Sequence, residues 1–481
     1  MRSSRVTETL GIVGTETVER NLRDHKESPN IMKPNILDLE DTKSICPRCG
    51  QVIDAKTYAE EGKVYIRKTC PEHGISRSLV WSDSQLYRTS SRYARPGKKH
   101  LIKRYLTDVL TGCPHDCGLC PDHRQHTCFA MVELTNRCNL NCPVCYASAN
   151  QAVVREPSLA QLREMFELVL GCEANPPTLQ LTGGEPTLRS DLAEIVKVAR
   201  ALGFRDITMS TNGLLLAQDT ELARKLANAG LVEVSLQFDG VTDDVYVKIR
   251  GQPLLSTKLQ AIENAKSAGL CVSVAATLVP QANTTQIGDI IQFAKEHRLD
   301  GVNLAPMAYV GRYPQSTFDP EGRLTIPDVL AAVEMQTNGE LKASDFVPVP
   351  CPDTRCSTMT YVFNTENGLI PLTRVCDVTS YLDSLLYGER VADGQLVRSS
   401  LENLWSMSAV PGSPRVLENI RNCSPRDLVR GAKCMSISIH GFQDAWNIDL
   451  ERVKKCCIHM VAPEKRLVPF CVYNNVFRSV T

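Results

Sequence analysis

The sequence of 481 residues has no uninterrupted apolar run of the length, about 20 residues, that a membrane-spanning helix needs. Its first thirty residues are polar and charged and contain no apolar core of a signal peptide. Basic and acidic residues are equal in number, at 54 each, so no charge excess predicts nucleic-acid binding. Internal repeats and low-complexity tracts are also missing. These absences predict a cytoplasmic globular protein, and the length predicts two or three domains.

Cysteine, in contrast, is abundant, with 20 residues in the chain. Without a secretion signal, this number favours metal sites in a reducing compartment over disulfide bonds. Cys138, Cys142 and Cys145 follow one another at Cys-x3-Cys-x2-Cys spacing. Three thiolates at this spacing can hold three irons of a four-iron cluster and leave the fourth iron open to another ligand.

A Gly-Gly-Glu-Pro run follows the cysteine triplet at Gly183, Gly184 and Glu185. The glycines allow the backbone to approach a ligand closely, and the Glu185 carboxylate can meet an ammonium group. A lone glycine pair is also typical of an ordinary tight turn, so the run gains weight only from its distance to the cysteines. Ser210 and Asn212 end the next apolar run in a similar position.

Strand-like and helix-like segments alternate through the middle of the chain. Strands are predicted at 129–135, 178–181, 207–210, 232–238, 272–278 and 302–306. Helices are predicted between them at 159–169, 192–202, 220–229, 257–268 and 284–297. This alternation predicts an α/β fold with a parallel sheet, whose functional residues lie at the carboxyl ends of the strands.

The cysteine triplet, the Gly-Gly-Glu-Pro run and the strand ends together resemble the radical S-adenosylmethionine (SAM) superfamily. The resemblance implies a partial (β/α)6 barrel at residues 129–312, with a 4Fe–4S cluster on the three cysteines and SAM on its open iron. Reductive cleavage of SAM would yield a 5′-deoxyadenosyl radical, which abstracts hydrogen from unreactive carbon. The implied SAM-binding residues are Gly183, Gly184, Glu185, Ser210, Asn212, Gln237 and Asn303. One departure is Val144, where the family usually has an aromatic residue, while Tyr146 follows the last cysteine.

Residues 41–100 are predicted to form a zinc-ribbon or rubredoxin-like metal domain after a polar extension at 1–40. Two short knuckles supply Cys46, Cys49, Cys70 and His73, which make a closed four-coordinate site. The spacing does not distinguish a mononuclear zinc ion from iron. A cysteine from elsewhere in the chain remains an alternative to His73.

The segment 101–128 carries a second Cys-x3-Cys-x2-Cys run and one further cysteine. Cys113, Cys117, Cys120 and Cys128 would close a four-iron cluster completely, which suits electron transfer or sulfur chemistry and not SAM binding. Zinc is the alternative, because three histidines lie nearby, namely His115, His123 and His126.

The region 313–481 is predicted to be a cysteine-bearing α+β domain with a third metal site or cluster. Its predicted ligands are Cys351, Cys356, Cys456 and Cys471, with Cys434 in reserve. The remaining cysteines that we interpret as buried apolar residues are Cys172, Cys271, Cys376 and Cys423. The cofactor prediction is therefore two or three 4Fe–4S clusters, SAM, and one mononuclear zinc or iron ion.

This order of metal sites, together with the motifs at 360–363, 371–374 and 468–474, resembles the tetraether lipid synthase family, also described as methylating 7,8-dihydro-6-hydroxymethylpterin. The resemblance implies carbon–carbon coupling of lipid alkyl chains, with a carbon radical trapped at the cluster of segment 101–128. The apolar stretches 385–387 and 468–470 would line the channel. A flavodoxin or ferredoxin would supply electrons, and the basic run 92–104 could contact the inner membrane surface.

Three other functions stay open at this point. A pterin methyltransferase would need a polar pocket, which Gln237, Asp239 and Asn303 at strand ends could supply. A peptide-modifying radical SAM enzyme would use the same cofactors. A multi-cluster electron carrier would not need the Gly-Gly-Glu-Pro run. A long apolar tunnel would favour the lipid substrate, and a short polar cavity would favour the pterin or the peptide.

Overall fold

A computed structural model of the chain describes residues 37–150, 153–366, 368–376, 378, 404–423 and 432–478. Most of the predicted polar extension and the apolar stretch 385–387 lie outside these residues. The strands are β1 Leu37–Ile45, β2 Val52–Glu60, β3 Lys63–Cys70, β4 Gly74–Trp81, β5 Phe129–Glu133, β6 Thr178–Thr182, β7 Ile207–Thr211, β8 Glu233–Gln237, β9 Cys271–Leu278, β10 Gly301–Pro306, β11 Val347–Pro348, β12 Ser357–Thr365, β13 Gly368–Pro371, β14 Lys433–His440, β15 Ile458–Ala462 and β16 Arg466–Pro469.

The helices lie mainly between the strands of the central region. They are α1 Ser84–Ser90, α2 Leu159–Cys172, α3 Leu192–Leu202, α4 Leu214–Gln218, α5 Thr220–Ala229, α6 Asp243–Arg250, α7 Leu255–Ser267, α8 Ile287–Glu296, α9 Ile326–Gln336, α10 Pro414–Cys423, α11 Leu450–Val453 and α12 Phe470–Val472. In the described residues, no helix is both long and apolar enough to cross a membrane.

Strands β1 to β4 form an antiparallel four-stranded sheet, which we call the ribbon. The hairpin between β2 and β3 pairs Glu60 with Lys63 across the two residues Glu61 and Gly62. Both have positive φ, at 50° and 76°, which is the geometry of a tight hairpin turn whose twist matches that of its strands. The turn therefore fixes the register that brings the two cysteine knuckles to one end of the ribbon.

The main sheet contains eight neighbouring parallel strands in the order β14-β10-β9-β8-β7-β6-β5-β15. The six central strands are those predicted from the sequence. The two outer ones come from the C-terminal region, which therefore extends the central sheet on both edges. Strands β12 and β16 continue it in antiparallel orientation.

Helices cover the outer face of the parallel strands, as expected when each strand returns to the sheet through a helix. In α2, the buried residues Leu162, Met165, Phe166 and Val169 recur at helical spacing and join the main hydrophobic core. Because this core lies outside the strands, the inner face of the sheet is left for polar side chains. The sheet thus forms a curved wall around a cavity.

Residues 404–413 lie at the amino end of the central strands, and we call them the floor segment. Thr178, the first residue of β6, donates its hydroxyl to Ser408 O at 3.0 Å. Tyr361 donates to Leu404 O at 2.9 Å, and the Trp405 side chain is fully buried against Tyr361. These contacts fix the floor segment below the cavity.

Candidate active site and metal centres

A cavity of about 410 Å³ lies inside the curved sheet. The predicted cluster ligands Cys138, Cys142 and Cys145 are on its wall. Six of the seven predicted SAM-binding residues are there too, namely Gly183, Gly184, Ser210, Asn212, Gln237 and Asn303. Parallel strands bring their carboxyl ends to one edge, so these side chains meet although up to 165 positions separate them in the sequence, from Cys138 to Asn303.

An ion pair beneath the cysteine loop holds its backbone in place. The guanidinium of Arg250 donates to both carboxylate oxygens of Asp239, each at 2.7 Å, and to Val144 O at 2.9 Å. Both side chains of the pair are at least nine-tenths buried. Asp239, one of the groups considered for a pterin pocket, is therefore occupied by Arg250 and positions the cysteines instead.

The environment of Cys138 fits a cluster-bound thiolate. Leu140 N lies 3.4 Å and Asn212 Nδ2 lies 3.8 Å from its sulfur, so two N–H groups point at it. Burial raises the pKa of the Cys138 thiol to about 11. A thiol this reluctant to ionise needs a cation to become a ligand, which iron supplies. The donor set at the three cysteines thus fits a 4Fe–4S cluster.

The two glycines of the Gly-Gly-Glu-Pro run are needed for a close approach between loops. A side chain at Gly183 would collide with Thr135 O, and one at Gly184 would collide with Arg137 O. Gly184 N donates to Thr135 O at 2.7 Å. The run is therefore clamped to the start of the cysteine loop, and both glycines face the cavity.

Glu185 is placed differently from the sequence expectation, in which its carboxylate met the SAM ammonium group. It is fully buried and does not line the cavity. Its oxygens accept from Thr187 Oγ1 at 2.6 Å, Thr211 Oγ1 at 2.7 Å and Asn212 N at 2.7 Å. These three donors satisfy the carboxylate, so Glu185 positions the end of β7 and leaves the ligand to the backbone beside it.

The remaining predicted SAM-binding side chains form hydrogen bonds around the upper rim. Gln237 Oε1 accepts from Lys258 Nζ at 2.9 Å, and burial lowers the pKa of Lys258 to about 7. Asn212 Nδ2 donates to Asn139 Oδ1 at 2.7 Å. Asn303 Oδ1 accepts from Ser438 Oγ at 2.6 Å. Amide groups held in this way can present their second polar atom to a ribose or carboxylate.

Arg312 is a cavity residue that the sequence analysis missed. Its backbone exchanges two hydrogen bonds of 2.9 Å with Cys145, and its Nη1 donates to Ala149 O at 3.0 Å. Its buried Nε and Nη2 atoms find no acceptor among the described residues. Since Arg312 lies in a connecting segment after β10, no local pattern identified it. A guanidinium in this position can bind a carboxylate.

The ribbon brings together the four predicted ligands of the knuckle site. The donor atoms of Cys46, Cys49, Cys70 and His73 all lie within 4.8 Å of one another. Burial acts to raise the pKa of the Cys46 thiol, but backbone N–H groups at Cys49 and Arg48 outweigh it and lower the pKa to about 7. A tetrahedral zinc or iron ion fits this donor set.

Cys128 and Cys351 do not group as the sequence analysis expected. Their sulfurs lie 2.7 Å apart, and Cys457 joins them within 4.8 Å. The reason is strand pairing, because Phe129 and Ile458 are partners in parallel β5 and β15 and bring the preceding residues together. His126 Nε2 lies 3.5 Å from Cys128 Sγ. Three thiols this close suit one ion better than a cluster, which spreads its thiolates over separate irons.

Cys113, Cys117 and Cys120 remain together. The Cys113 and Cys117 sulfurs are 3.9 Å apart, and Cys120 and Cys456 both act electrostatically on Cys117. The fourth predicted ligand of this group, Cys128, lies with Cys351 and Cys457 instead. Of the three histidines considered for zinc, His123 is buried and its Nε2 lies 2.7 Å from Cys456 O, so its ring is used in a backbone contact.

The cysteine group of the C-terminal region comprises Cys356, Cys456 and Cys471. Burial and the neighbouring Cys356 raise the pKa of the Cys471 thiol to about 12. Burial, Cys471 and Cys356 likewise raise the pKa of the Cys456 thiol. Of these three, only Cys471 lines the cavity. Among the described residues, this C-terminal cysteine group therefore reaches the cavity. The group at Cys113, to which the sequence analysis gave the trapping role, does not line it.

Other predicted residues have simpler places. The thiols of Cys172 and Cys434 are buried in hydrophobic clusters. Tyr146 lines the cavity, with its ring 5.6 Å from that of Phe470. Val144 packs against Met307 in the small cluster beside the cysteine loop. In the stretch 468–470, Val468 is core and Phe470 lines the cavity.

Comparison with known proteins defines the class. Residues 132–294 match the family model of the Radical SAM superfamily. Residues 39–82 match the HMPTM N-terminal zinc ribbon domain. The protein is a radical SAM enzyme, and membership of this class implies a 4Fe–4S cluster and SAM at the site just described.

The family follows from full-length similarity. The chain is 37% identical over 479 residues to 7,8-dihydro-6-hydroxymethylpterin dimethyltransferase of Methanocaldococcus jannaschii, covering 91% of this chain and 94% of that protein. The chain belongs to the family of that enzyme. It is also 32% identical over 199 residues to a probable GTP 3′,8-cyclase of Sulfolobus acidocaldarius, covering 40% of this chain and 62% of that one. Streptococcus suis SuiB bound to its precursor peptide SuiA matches 45% of the chain at 14% identity and a TM-score of 0.37.

Proposed function

We propose that this protein is a radical SAM methyltransferase that acts on a reduced pterin of the 7,8-dihydro-6-hydroxymethylpterin class. The observation that carries the proposal is a layer of polar side chains in the cavity wall below the SAM motifs. Its small hydrogen-bonding side chains include Thr208, Ser235, Ser273 and Ser436. The relative from Methanocaldococcus jannaschii, which shares nearly the whole chain, supports the same substrate class.

The pairing of the strands explains this polar layer. Ser235 pairs with Ser273, Ser273 with Gly301, and Gly301 with Ser436, so one layer of the inner face carries hydroxyl groups or no side chain. Such a layer leaves space for a flat ring and surrounds it with donors and acceptors. The cavity of about 410 Å³ lies within the range of about 300–1,000 Å³ that is usual for small-molecule sites.

The sequence analysis put coupling of lipid alkyl chains first. The polar layer in the cavity wall favours the pterin instead. An alkyl chain in this cavity would leave the buried Thr208 hydroxyl, which has no partner among the described residues, unpaired at a cost of about 1–3 kcal/mol. Apolar wall residues lie at both ends of the cavity, with Met407 and Val410 in the floor segment and Met307 and Phe470 at the carboxyl end of the strands. A polar heterocycle would satisfy the hydroxyls along the middle of the cavity.

The chain's own residues would bind and orient the reactants. When bound, the cluster and SAM supply a 5′-deoxyadenosyl radical that can remove a hydrogen atom from a carbon of the substrate. Arg312 is placed to bind the SAM carboxylate beside Cys145, and Gly184 with the rim amides Asn212 and Gln237 is placed to hold the rest of SAM. Exclusion of water by the closed floor would protect a carbon radical from side reactions.

We also propose three further metal centres in the same chain. They are a single ion in the ribbon, a single ion at Cys128, Cys351 and Cys457, and auxiliary iron–sulfur chemistry at the groups around Cys113 and Cys356. A reductant of the flavodoxin or ferredoxin type would supply electrons. Because Cys471 lines the cavity, the group around Cys356 is the one placed to exchange electrons with the substrate.

The test is anaerobic 5′-deoxyadenosine formation by the reconstituted and reduced enzyme with SAM. We expect a clear rise when 7,8-dihydro-6-hydroxymethylpterin is added and no rise with a phospholipid extract. Mass spectrometry of the pterin should then show added methyl groups, and isotope-labelled SAM would identify whether SAM is their source.

Cys142→Ala is the matched inactive control, since it removes one of the three cluster ligands and leaves the other centres visible by their absorption. If lipid stimulates the reaction and pterin does not, the pterin function is excluded. Equal 5′-deoxyadenosine formation by Cys142→Ala would contradict the assignment of the SAM cluster itself.

A further inference from the structure

Glu233 is a buried carboxylate on the inner wall of the barrel that the SAM site does not use. It is the first residue of β8, is 6% exposed, and lines the cavity. Ser235 and Gln237 of the same strand also line the cavity, so the two-residue period of the strand aims all three side chains inward. Glu233 lies at the floor end of this row, and Gln237 lies at the SAM end.

The carboxylate has capacity for further hydrogen bonds. Ser273 Oγ donates to Glu233 Oε1, and no lysine, arginine or histidine nitrogen lies within 4.0 Å of it among the described residues. An ionised carboxylate accepts about four hydrogen bonds, so one serine leaves most of this capacity unused. Burial and the nearby Asp300 raise the pKa of Glu233 to about 7, against the lowering effect of Ser273, which is the behaviour of an acid without a cation.

Thr208 provides a second, independent observation at the same level. It pairs with Glu233 in the register of β7 and β8, lines the cavity, and is 3% exposed. Its buried hydroxyl finds no hydrogen-bond partner among the described residues. A buried hydroxyl without a partner is destabilising, so a site with such a group beside a carboxylate with unused acceptor capacity is suited to a polar ligand.

We propose that Glu233 and Thr208 recognise the aminopyrimidinone edge of the pterin, so that the ring stands on the floor of the barrel with its other edge toward SAM. This inference rests on the proposed function. The ring N3–H and the 2-amino group are two parallel donors, and they match the two oxygens of one carboxylate as a guanidinium does. The Thr208 hydroxyl can bond to a neighbouring ring nitrogen or oxygen.

The length of β8 sets the orientation of the substrate. Four residues separate Glu233 from Gln237, which corresponds to about 13 Å along a strand. In a 6-substituted pterin, the 2-amino group and carbon 6 lie at opposite ends of the fused rings. Anchoring the amino end at Glu233 therefore directs carbons 6 and 7 and the hydroxymethyl group toward Gln237 and the cysteine loop, where a radical would form.

The experiment compares two rings, in the wild type and in variants, using the anaerobic holoenzyme before SAM is added. The dissociation constants of 7,8-dihydro-6-hydroxymethylpterin and of its 2-oxo analogue, a lumazine, are measured for the wild type and for Glu233→Gln. The wild type should prefer the 2-amino ring. Glu233→Gln should bind that ring about 100-fold more weakly, because its amide N–H₂ faces the ring's own donor. The same amide complements N3–H and the 2-oxo group, so the variant should prefer the lumazine.

Reversal of the preference is a result that a merely structural role of Glu233 would not produce. Glu263→Gln, an exposed substitution on α7, is the matched control and should leave both constants unchanged. If Glu233→Gln binds both rings as the wild type does, the Glu233 assignment is overturned while the pterin function stands. If the wild type binds neither ring, the proposed function itself fails.

A variant that does not fold is recognised by loss of SAM binding, and Thr208→Val then takes its place. This substitution keeps the shape of the side chain and removes its hydroxyl. We expect about 10-fold weaker binding of the 2-amino ring with an unchanged SAM dissociation constant. Wild-type affinity in Thr208→Val together with failure of Glu233→Gln to fold would overturn the proposed floor site.

Discussion

At the scale of single residues, the pair of Arg250 and Asp239 decides the position of the SAM cluster. The Arg250 guanidinium binds Asp239, which follows β8, and also Val144 O, which lies between Cys142 and Cys145. The charges of Arg250 and Asp239 are both buried. A buried pair loses its solvation, so it is tolerated only while both partners remain. Neither residue belongs to a sequence motif, yet together they hold Cys142 and Cys145 at the cavity wall.

Arg250→Met should therefore lower the free energy of unfolding by about 3–5 kcal/mol, because Asp239 would remain buried without a cation. Anaerobic denaturant unfolding followed by circular dichroism measures the change, and the absorption of the SAM cluster should decay faster. Arg163→Met is the control, since its pair with Glu167 is half-exposed on α2 and is screened by water. An equal loss in both variants would contradict the special role of the buried pair.

The residue scale also marks where sequence reasoning succeeded and where it stopped. Spacing alone placed Cys138, Cys142 and Cys145 at one site, because a short loop cannot separate them. It did not predict that Glu185 is absent from the cavity wall, since the direction of a side chain depends on partners such as Thr211 that arrive from another strand. Arg312 lies outside any sequence motif, so nothing in the sequence marked it as functional.

At the scale of elements, the two outer parallel strands decide the metal chemistry. The sequence predicted the six central strands to within two residues at their ends, because each is a buried run between helices. It did not place β14 and β15 in the same sheet. Their apolar runs resemble the central ones, but pairing partners more than 100 positions away leave no local pattern, so the grouping of Cys128 and Cys351 with Cys457 was not predicted.

The parallel pairing of β5 and β15 makes a prediction about metal content. Cys457→Ala should lose one metal equivalent relative to the wild type, because three thiols surround a single position. Elemental analysis of the reconstituted protein measures it. Cys172→Ala, at the buried end of α2, is the control and should lose none. Loss of four irons in Cys457→Ala would mean that these thiols hold a cluster instead.

At the scale of the whole molecule, the ribbon is tied to the C-terminal region as well as to its own metal ligands. Lys68 Nζ donates to Ala445 O at 2.7 Å, Ser44 Oγ donates to Ile448 O at 2.5 Å, and Thr42 Oγ1 donates to Asp449 Oδ1 at 2.6 Å. These bonds join strands β1 and β3 to the segment before α11. The ribbon therefore supports the part of the chain that carries Cys456 and Cys471.

Removal of the ribbon metal should weaken that support. Cys70→Ala is expected to lose one zinc or iron equivalent and to lower the thermal midpoint of unfolding by several degrees, because a structural ion contributes folding free energy. Calorimetry measures the midpoint, and the absorption of the SAM cluster should persist. Cys434→Ala, a buried thiol on β14 outside the ribbon, is the control for metal content. An unchanged metal content in Cys70→Ala would exclude the ribbon site.

The floor segment lies across the amino end of the barrel. Thr178 and Tyr361 fasten residues 404–413 across the amino ends of the strands, while the SAM motifs occupy the carboxyl ends. If the pterin rests on Glu233 as proposed, it lies beneath the place where SAM would bind. We then expect the pterin to enter first and its product to leave last, so steady-state kinetics should show compulsory ordered addition.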